Sequence, residues 1–138
     1  MKLKELMREV VHGEMDAISI YEEEAEVFAS HPKYGTEIST LFGRLALEKR
    51  ERLKALGSIL RQPTGFRERD TKAARSIEAS LRAHVTAEEI CVANFAELVK
   101  QLNKPEFKET IAAMLSGSRA HLAAIRGLQN LIKGVPTK

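Results

Sequence analysis

Apolar residues recur every three or four positions along most of the chain, a spacing typical of amphipathic α-helices. Turn-forming residues divide this pattern into four segments, and none of them shows the alternation of apolar and polar positions expected of a β-strand. We therefore predict an all-α protein. The four predicted helices cover approximately residues 3–29, 36–60, 77–102 and 107–132.

A charged segment at residues 61–72 separates the second predicted helix from the third. It contains Pro63 and lacks helical periodicity, so it is predicted to be a long connection between two helix hairpins. Asp70 is the predicted N-cap of the third helix. The chain is thus predicted to form one domain over its 138 residues, with halves at residues 1–60 and 73–133.

The two halves repeat the same apolar pattern. A shift of 74 positions superposes the first helix on the third, so that Tyr21 meets Phe95. A shift of 69 positions superposes the second helix on the fourth, so that Leu45 meets Met114. A duplicated hairpin predicts an antiparallel four-helix bundle with pseudo-twofold symmetry.

Six polar residues interrupt the inward apolar stripes at the same depth of this predicted bundle. They are Glu14, Lys49, Arg52, Glu88, Ser118 and His121, which we call the polar layer. A buried carboxylate must be compensated by a metal ion, by a cationic side chain or by protonation. Since Lys49 and Arg52 supply two positive charges, we predict a buried ion-pair network in which Arg52 is suited to a bidentate contact.

Three further residues lie near the polar layer. Tyr21 is predicted to be a core aromatic residue whose hydroxyl group bonds Glu14 or Glu88, or alternatively a relay for protons or electrons. His84, one helical turn before Glu88, is predicted to have a structural role although it could border the site. Cys91 is predicted to be a small buried apolar group.

Composition narrows the possible partners. The chain is 30% charged and 43% hydrophobic, with a formal net charge of +3 and interleaved signs, so nucleic acid is an unexpected partner. The basic residues Arg61, Arg67 and Arg69 nevertheless leave open a contact of the connection with phosphate or nucleic acid. The acidic run at residues 22–26 is predicted to be mostly a solvated helix face.

Cysteine usage and hydropathy suggest a cytoplasmic protein. Cys91 is the only cysteine, so no disulfide within the chain and no Cys-x-x-Cys metal site is possible. The charged start of the sequence does not resemble a secretory signal. No apolar run approaches the roughly 20 residues of a membrane span, so no membrane partner is expected.

Three segments resemble helices of the rubrerythrin and ferritin-like carboxylate proteins. Residues 11–22 contain a glutamate followed seven positions later by an aromatic residue, as in the first helix of that family. Residues 45–53 and 87–95 look like its second and third helices, and the resemblance covers nearly the whole chain. It implies a ferritin-like bundle, and by family analogy a homodimer. In that family each half supplies one Glu and one Glu-x-x-His to a site for two metal ions, usually iron.

The resemblance assigns each metal-ligand position to a residue of this chain. Glu14 and Glu88 match the two single glutamates, and His121 matches the histidine of the second half. Two of the three remaining positions carry cations, which repel a metal ion. The three positions at which this chain lacks the ligand of the family are Lys49, Arg52 and Ser118.

Two functional hypotheses follow from this resemblance. The first is a non-catalytic bundle without catalytic residues or cofactor, whose binding or structural role involves an unknown protein partner or small ligand. The second is an iron or manganese oxidoreductase of peroxidase type, or an iron-handling protein, in which Glu14, Glu88 and His121 hold one ion rather than two. Rotation of the second helix by about 100° would turn Glu48 inward, next to Glu51 in a Glu-x-x-Glu motif, and would add acidic ligands.

Overall fold

The structure, a computed structural model, describes residues 2–60 and 65–134 and confirms the predicted all-α, four-helix architecture over them. Arg61 and Pro63 of the predicted connection lie outside the described residues. None of the described helices has the length and continuous apolar sequence needed to cross a membrane. The helices are α1 (Leu3–Val27), α2 (Gly35–Leu60), α3 (Ile77–Gln101) and α4 (Pro105–Lys133).

The four helices form an antiparallel bundle. Helix α1 packs against α2 and α3, and α4 packs against the same two helices, so α1 lies diagonally opposite α4. The start of α1, the end of α2, the end of α3 and the start of α4 share one apolar cluster, and a second cluster fills the other end. Neighbouring helices therefore run in opposite directions, and α3 begins at the opposite end of the bundle from the end of α2.

Residues 65–76 of the connection from α2 to α3 run along α1 and are attached to it by polar contacts. The backbone N–H group of Arg69 donates a hydrogen bond to Ser19 Oγ over 2.9 Å. Further along, the backbone N–H group of Ala74 donates to Glu24 Oε2, also over 2.9 Å. Because Ser19 and Glu24 are both buried, these bonds hold the connection against the bundle rather than in solvent.

Helix α3 begins later than the predicted cap implies. Its N-cap is Ser76, whose hydroxyl oxygen accepts a hydrogen bond from the backbone N–H group of Ala79 over 3.1 Å. The prediction that Asp70 caps this helix is wrong, because a cap must directly precede the first helical turn. At the other end of the chain Gly134 ends α4 with a φ of 75°, a left-handed conformation that glycine adopts without strain.

The turn between α1 and α2 depends on Gly35. A side chain at this position would clash with the carbonyl oxygen of Ala29, so the close approach of the two helix ends requires glycine. The ring of His31 stabilises the same turn, because its Nδ1 atom accepts the backbone N–H group of Tyr34 over 3.1 Å. This short hairpin aligns the inward stripes of α1 and α2.

Candidate functional site

The polar layer forms at the centre of the bundle, between the two apolar clusters. All four helices contribute to it, and each side chain comes from the inward stripe on which the sequence placed it. The six residues have exposed fractions of 8% or less: Glu14, Lys49, Arg52, Glu88, Ser118 and His121.

Glu14 receives both cations of the layer. Lys49 Nζ donates to its Oε2 atom over 2.8 Å, and Arg52 Nη1 donates to its Oε1 atom over 2.8 Å. The same Nη1 atom donates to Ser118 Oγ over 3.0 Å. Arg52 therefore bonds Glu14 through one nitrogen, and the predicted bidentate contact is not formed. A methyl group at Gly117 would lie 3.2 Å from Arg52 Nη2, so glycine leaves room for the guanidinium.

Glu14 and Lys49 keep their charges in spite of burial. Burial raises the pKa of Glu14. The charges and hydrogen bonds of Lys49 and Arg52 together lower it by more, so the net pKa lies below the usual value. Burial lowers the pKa of Lys49, but Glu14 and Glu88 raise it to a net value above the usual one. The innermost contact is therefore a true ion pair at neutral pH.

Glu88 is compensated differently from Glu14. Its short hydrogen bond, 2.8 Å, comes from the neutral hydroxyl group of Tyr21, as predicted. Lys49 Nζ lies farther away, 3.3 Å from Oε2 and 3.5 Å from Oε1. Burial and then the charge of Glu88 raise the pKa of Tyr21 well above its usual value, so the phenol remains protonated. The ring of Tyr21 stacks on that of His84 with 4.2 Å between centroids.

A second buried acid, Glu24, was missed by the sequence analysis. It is 1% exposed although it belongs to the acidic run that was predicted to be mostly solvated. Ser80 Oγ donates to Glu24 Oε1 over 2.8 Å, and His84 Nε2 lies 2.6 Å from the same atom. Burial raises the pKa of Glu24, but these bonds and that from Ala74 lower it to a net value below the usual one. The available signal was spacing, since Glu24 follows inward Tyr21 by three positions on α1.

His121 bonds to Glu48 at the edge of the bundle and takes no part in the ion pairs of Glu14. Its Nε2 atom lies 2.9 Å from Glu48 Oε1, and its Nδ1 atom has no hydrogen-bond partner within the described residues. Burial lowers the pKa of His121, the bond to Glu48 raises it, and Lys49 and Arg52 lower it, so the net pKa is below the usual value. The ring is therefore neutral at pH 7.

Helix α2 keeps its apolar stripe inward, so the alternative rotation is not adopted. Leu45 and Leu53 are 0% and 2% exposed. The side chain of Glu51 is 63% exposed, and that of Glu48 is 46% exposed. Glu48 reaches His121 from the edge of the bundle rather than from within the layer. The bond from His121, the largest of several influences, holds the pKa of Glu48 below its usual value.

Cys91 borders the layer on α3 and is half-buried. Its Sγ atom lies 3.3 Å from Ser118 Oγ and 3.8 Å from Glu14 Oε2. Burial, opposed by Lys49 and reinforced by the nearby carboxylates, raises the pKa of the thiol to about 11. Cys91 is therefore a neutral thiol at pH 7 and a poor nucleophile.

The residues of the polar layer do not fit a di-metal centre. Two cationic side chains lie inside the layer, and both oxygens of Glu14 bond to them. Among the residues that the structure describes, no group of three or more His, Cys, Asp or Glu side chains is arranged to hold a metal ion. The assignment of Glu14, Glu88 and His121 as ligands of a single ion stays a prediction.

A cleft of about 430 Å³ opens between α1 and α3 onto the polar layer, and we call it the α1–α3 cleft. Thr71 and Lys72 of the connection lie at its edge. Its floor contains Glu14, Tyr21, Lys49, Glu88 and Cys91. Its apolar walls contain Val10, Ala17, Ile20, Ala87, Ile90 and Phe95. The sequence analysis did not predict this cleft, because its volume depends on the separation of two helices.

Comparison of the chain with protein-family models, curated proteins and solved structures finds no match. The resemblance to the rubrerythrin and ferritin-like proteins therefore stays a prediction based on helix motifs. The geometry of the polar layer and of the α1–α3 cleft is what bears on function.

Proposed function

We propose that this chain is a rubrerythrin-like, ferritin-like bundle that binds a small organic ligand in the α1–α3 cleft and has no catalytic activity. In this proposal the cations Lys49 and Arg52 take the place that metal ions hold in the family. The observation that carries the proposal is the cleft itself, which joins apolar walls to a polar floor whose charges are already compensated.

The ion pairs of the layer support a binding role rather than chemistry at a metal. Glu14 is held by two cations at 2.8 Å, so its oxygens are committed to the protein. Tyr21 and Cys91 on the floor are also poorly suited to general acid–base catalysis at neutral pH. The pKa of Tyr21 is well above its usual range, and that of Cys91 is about 11. Such a floor provides fixed hydrogen-bonding groups, which is what a binding site needs.

The size and composition of the cleft support occupation by a small molecule. Sites for small ligands usually have volumes of roughly 300–1,000 Å³, apolar walls and a few convergent polar groups. The α1–α3 cleft has about 430 Å³, with Ile20, Ile90 and Phe95 among its wall residues. Ile90 is 57% exposed, so the free protein presents a large apolar side chain to solvent at the mouth of the cleft.

The proposal includes two expectations that come from the resemblance and the composition. By family analogy the chain forms a homodimer, and its single cysteine suits the cytoplasm. Sedimentation equilibrium measures the oligomeric state, and cell fractionation measures the cellular location. A monomer at micromolar concentration would remove the dimer from the proposal without affecting the cleft.

A fragment screen by NMR tests whether the cleft binds small molecules. Small neutral and charged aromatic compounds are added to isotope-labelled protein, and shifts of amide signals from residues lining the cleft are followed. The matched variants are Ala87→Phe, which fills the cleft, and Ala83→Phe, one turn earlier on α3 and outside the cleft. We expect saturable shifts that Ala87→Phe abolishes and Ala83→Phe retains. No saturable shifts with any compound, or shifts that survive Ala87→Phe, would exclude the proposal.

A further inference from the structure

The charges of the polar layer, onto which the cleft opens, sum to zero. Glu14 and Glu88 contribute two negative charges, and Lys49 and Arg52 contribute two positive charges in direct contact with them. Because a net charge in a desolvated site is strongly unfavourable, a charged ligand that reached this floor would leave one charge uncompensated.

Three further charged residues line the cleft, Glu9, Asp16 and Lys72, but all three are exposed to solvent, where water screens their charges.

The buried and half-buried groups Tyr21, Cys91 and His121 do not change the charge balance of the polar layer at neutral pH. Tyr21 and Cys91 remain protonated because burial and nearby carboxylates raise the pKa of each side chain. His121 is neutral because burial lowers its pKa. Glu24, the next buried acid along α1, is bonded to Ser80, His84 and the backbone of Ala74 and lies outside the set of cleft-lining residues.

Hydrogen bonding, in contrast to charge, is unevenly distributed on the floor. Both oxygens of Glu14 have a cationic donor at 2.8 Å. Glu88 has a donor at 2.8 Å only on Oε2, from Tyr21, whereas Oε1 has Lys49 at 3.5 Å. A carboxylate can accept about four hydrogen bonds, so Glu88 retains acceptor capacity although it is 1% exposed.

We infer that the α1–α3 cleft selects an uncharged, mostly apolar alcohol whose hydroxyl group donates a hydrogen bond to Glu88. The inference rests on the proposed function and specifies its ligand class. The apolar body of the alcohol lies against Phe95 and Ile90, and the hydroxyl group gives Oε1 a closer donor than Lys49, which lies 3.5 Å away. A hydrogen bond to a buried carboxylate is charge-assisted, so one such bond discriminates strongly between ligands of equal shape.

Four compounds with a common phenylethyl or benzyl body test the ligand class by NMR titration of the full chain. They are 2-phenylethanol, its methyl ether, 2-phenylethylamine and phenylacetate. The ether lacks only the donor hydrogen, and the last two carry a positive and a negative charge at neutral pH. We expect 2-phenylethanol to bind at least about tenfold more tightly than each of the other three.

Glu88→Gln tests the charge balance separately. This variant leaves one positive charge of the layer uncompensated, so we expect phenylacetate to become the preferred ligand and 2-phenylethanol to lose about tenfold in affinity. Circular dichroism and thermal unfolding show whether the variant keeps its fold, and the four titrations of the unmodified protein decide the inference if it does not.

Each outcome distinguishes the inference from the proposed function. Equal affinities for the alcohol and its ether, or tighter binding of the amine or the acid to the unmodified protein, would overturn the ligand class and leave a binding cleft. An unchanged ligand preference in folded Glu88→Gln would also overturn it. Failure of all four compounds and of the wider fragment screen would overturn both.

Discussion

Lys49 is 0% exposed and is the residue on which the charge balance of the bundle centre depends. Lys49 is the only lysine of the polar layer. Its ammonium group lies 2.8 Å from Glu14 and 3.3 Å from Glu88, so it contacts both acids. Removing one partner of a buried ion pair leaves a desolvated, uncompensated charge, which is far more destabilising than the loss of a surface pair. This difference gives a direct test at the level of one side chain.

Replacing either buried cation should strongly destabilise the fold. We expect Lys49→Ala or Arg52→Ala to lower the free energy of unfolding by on the order of 3–5 kcal/mol, because each strands a buried carboxylate. Urea denaturation measures this quantity. The control is Lys54→Ala, whose side chain is 74% exposed and should change the free energy by less than about 0.5 kcal/mol. Losses below about 1 kcal/mol for both buried positions would mean that the layer is hydrated.

His121 should make stability depend on pH near neutrality. Its folded pKa lies below the usual 6.5, because burial, Lys49 and Arg52 outweigh the bond to Glu48. The unfolded chain therefore binds the proton more readily, so this contribution is present above pH 6.5 and is lost as the pH falls below it. The lowered pKa values of Glu14, Glu24 and Glu48 act in a separate and more acidic window.

Urea denaturation at about pH 7.5 and about pH 5.5 isolates the histidine contribution. We expect the unmodified protein to lose stability between these conditions and His121→Gln to lose less of it. His12→Gln, at an exposed position on α1, should behave like the unmodified protein. Equal pH dependence in His121→Gln and the unmodified protein would show that the ring is not held neutral by its surroundings.

At the level of helices, the start of α3 tests how the long connection ends. We expect Ser76→Ala to lower the free energy of unfolding by about 1 kcal/mol, because the hydroxyl group bonds the N–H group of Ala79. Asp70→Ala, at the position that the sequence analysis chose as the cap, should change it by less than about 0.5 kcal/mol. Thermal or urea unfolding compares the two variants. The reverse order would restore Asp70 as the cap.

The helices and the polar layer could be predicted because their signals are local. A period of three to four residues predicts where a helix buries its face, and a polar residue on that face, such as Glu14 or Arg52, is conspicuous. The spacing of Glu24 from Tyr21 points inward, but its full burial depends on the connection, which bonds it from 50 residues away along the chain. Contacts made by long flexible side chains, such as that between Glu48 and His121, depend on the final helix spacing.

At the scale of the whole molecule, the duplicated hairpin explains the acids but not the cations. The repeat places Glu14 and Glu88 at equivalent depths of α1 and α3, whereas both Lys49 and Arg52 come from α2. At the equivalent positions α4 supplies Ser118 and His121. The symmetry of the bundle is therefore broken in its charges, which leaves Glu88 with the weaker cationic contact and the α1–α3 cleft in front of it.

The central claim is that Lys49 and Arg52 compensate the carboxylates in place of metal ions. Elemental analysis tests it on untagged protein, as purified and after incubation with ferrous or manganous ions followed by desalting. The comparison is the triple variant Lys49→Glu, Arg52→His, Ser118→Glu, which introduces the carboxylates and histidine expected at these positions from the resemblance to the rubrerythrin and ferritin-like proteins. We expect metal well below one ion per chain in the unmodified protein, and about one to two ions per chain in the triple variant. Near-stoichiometric metal in the unmodified protein would contradict the claim. Loss of that metal in the double variant that combines Glu14→Ala with His121→Ala would favour the oxidoreductase hypothesis.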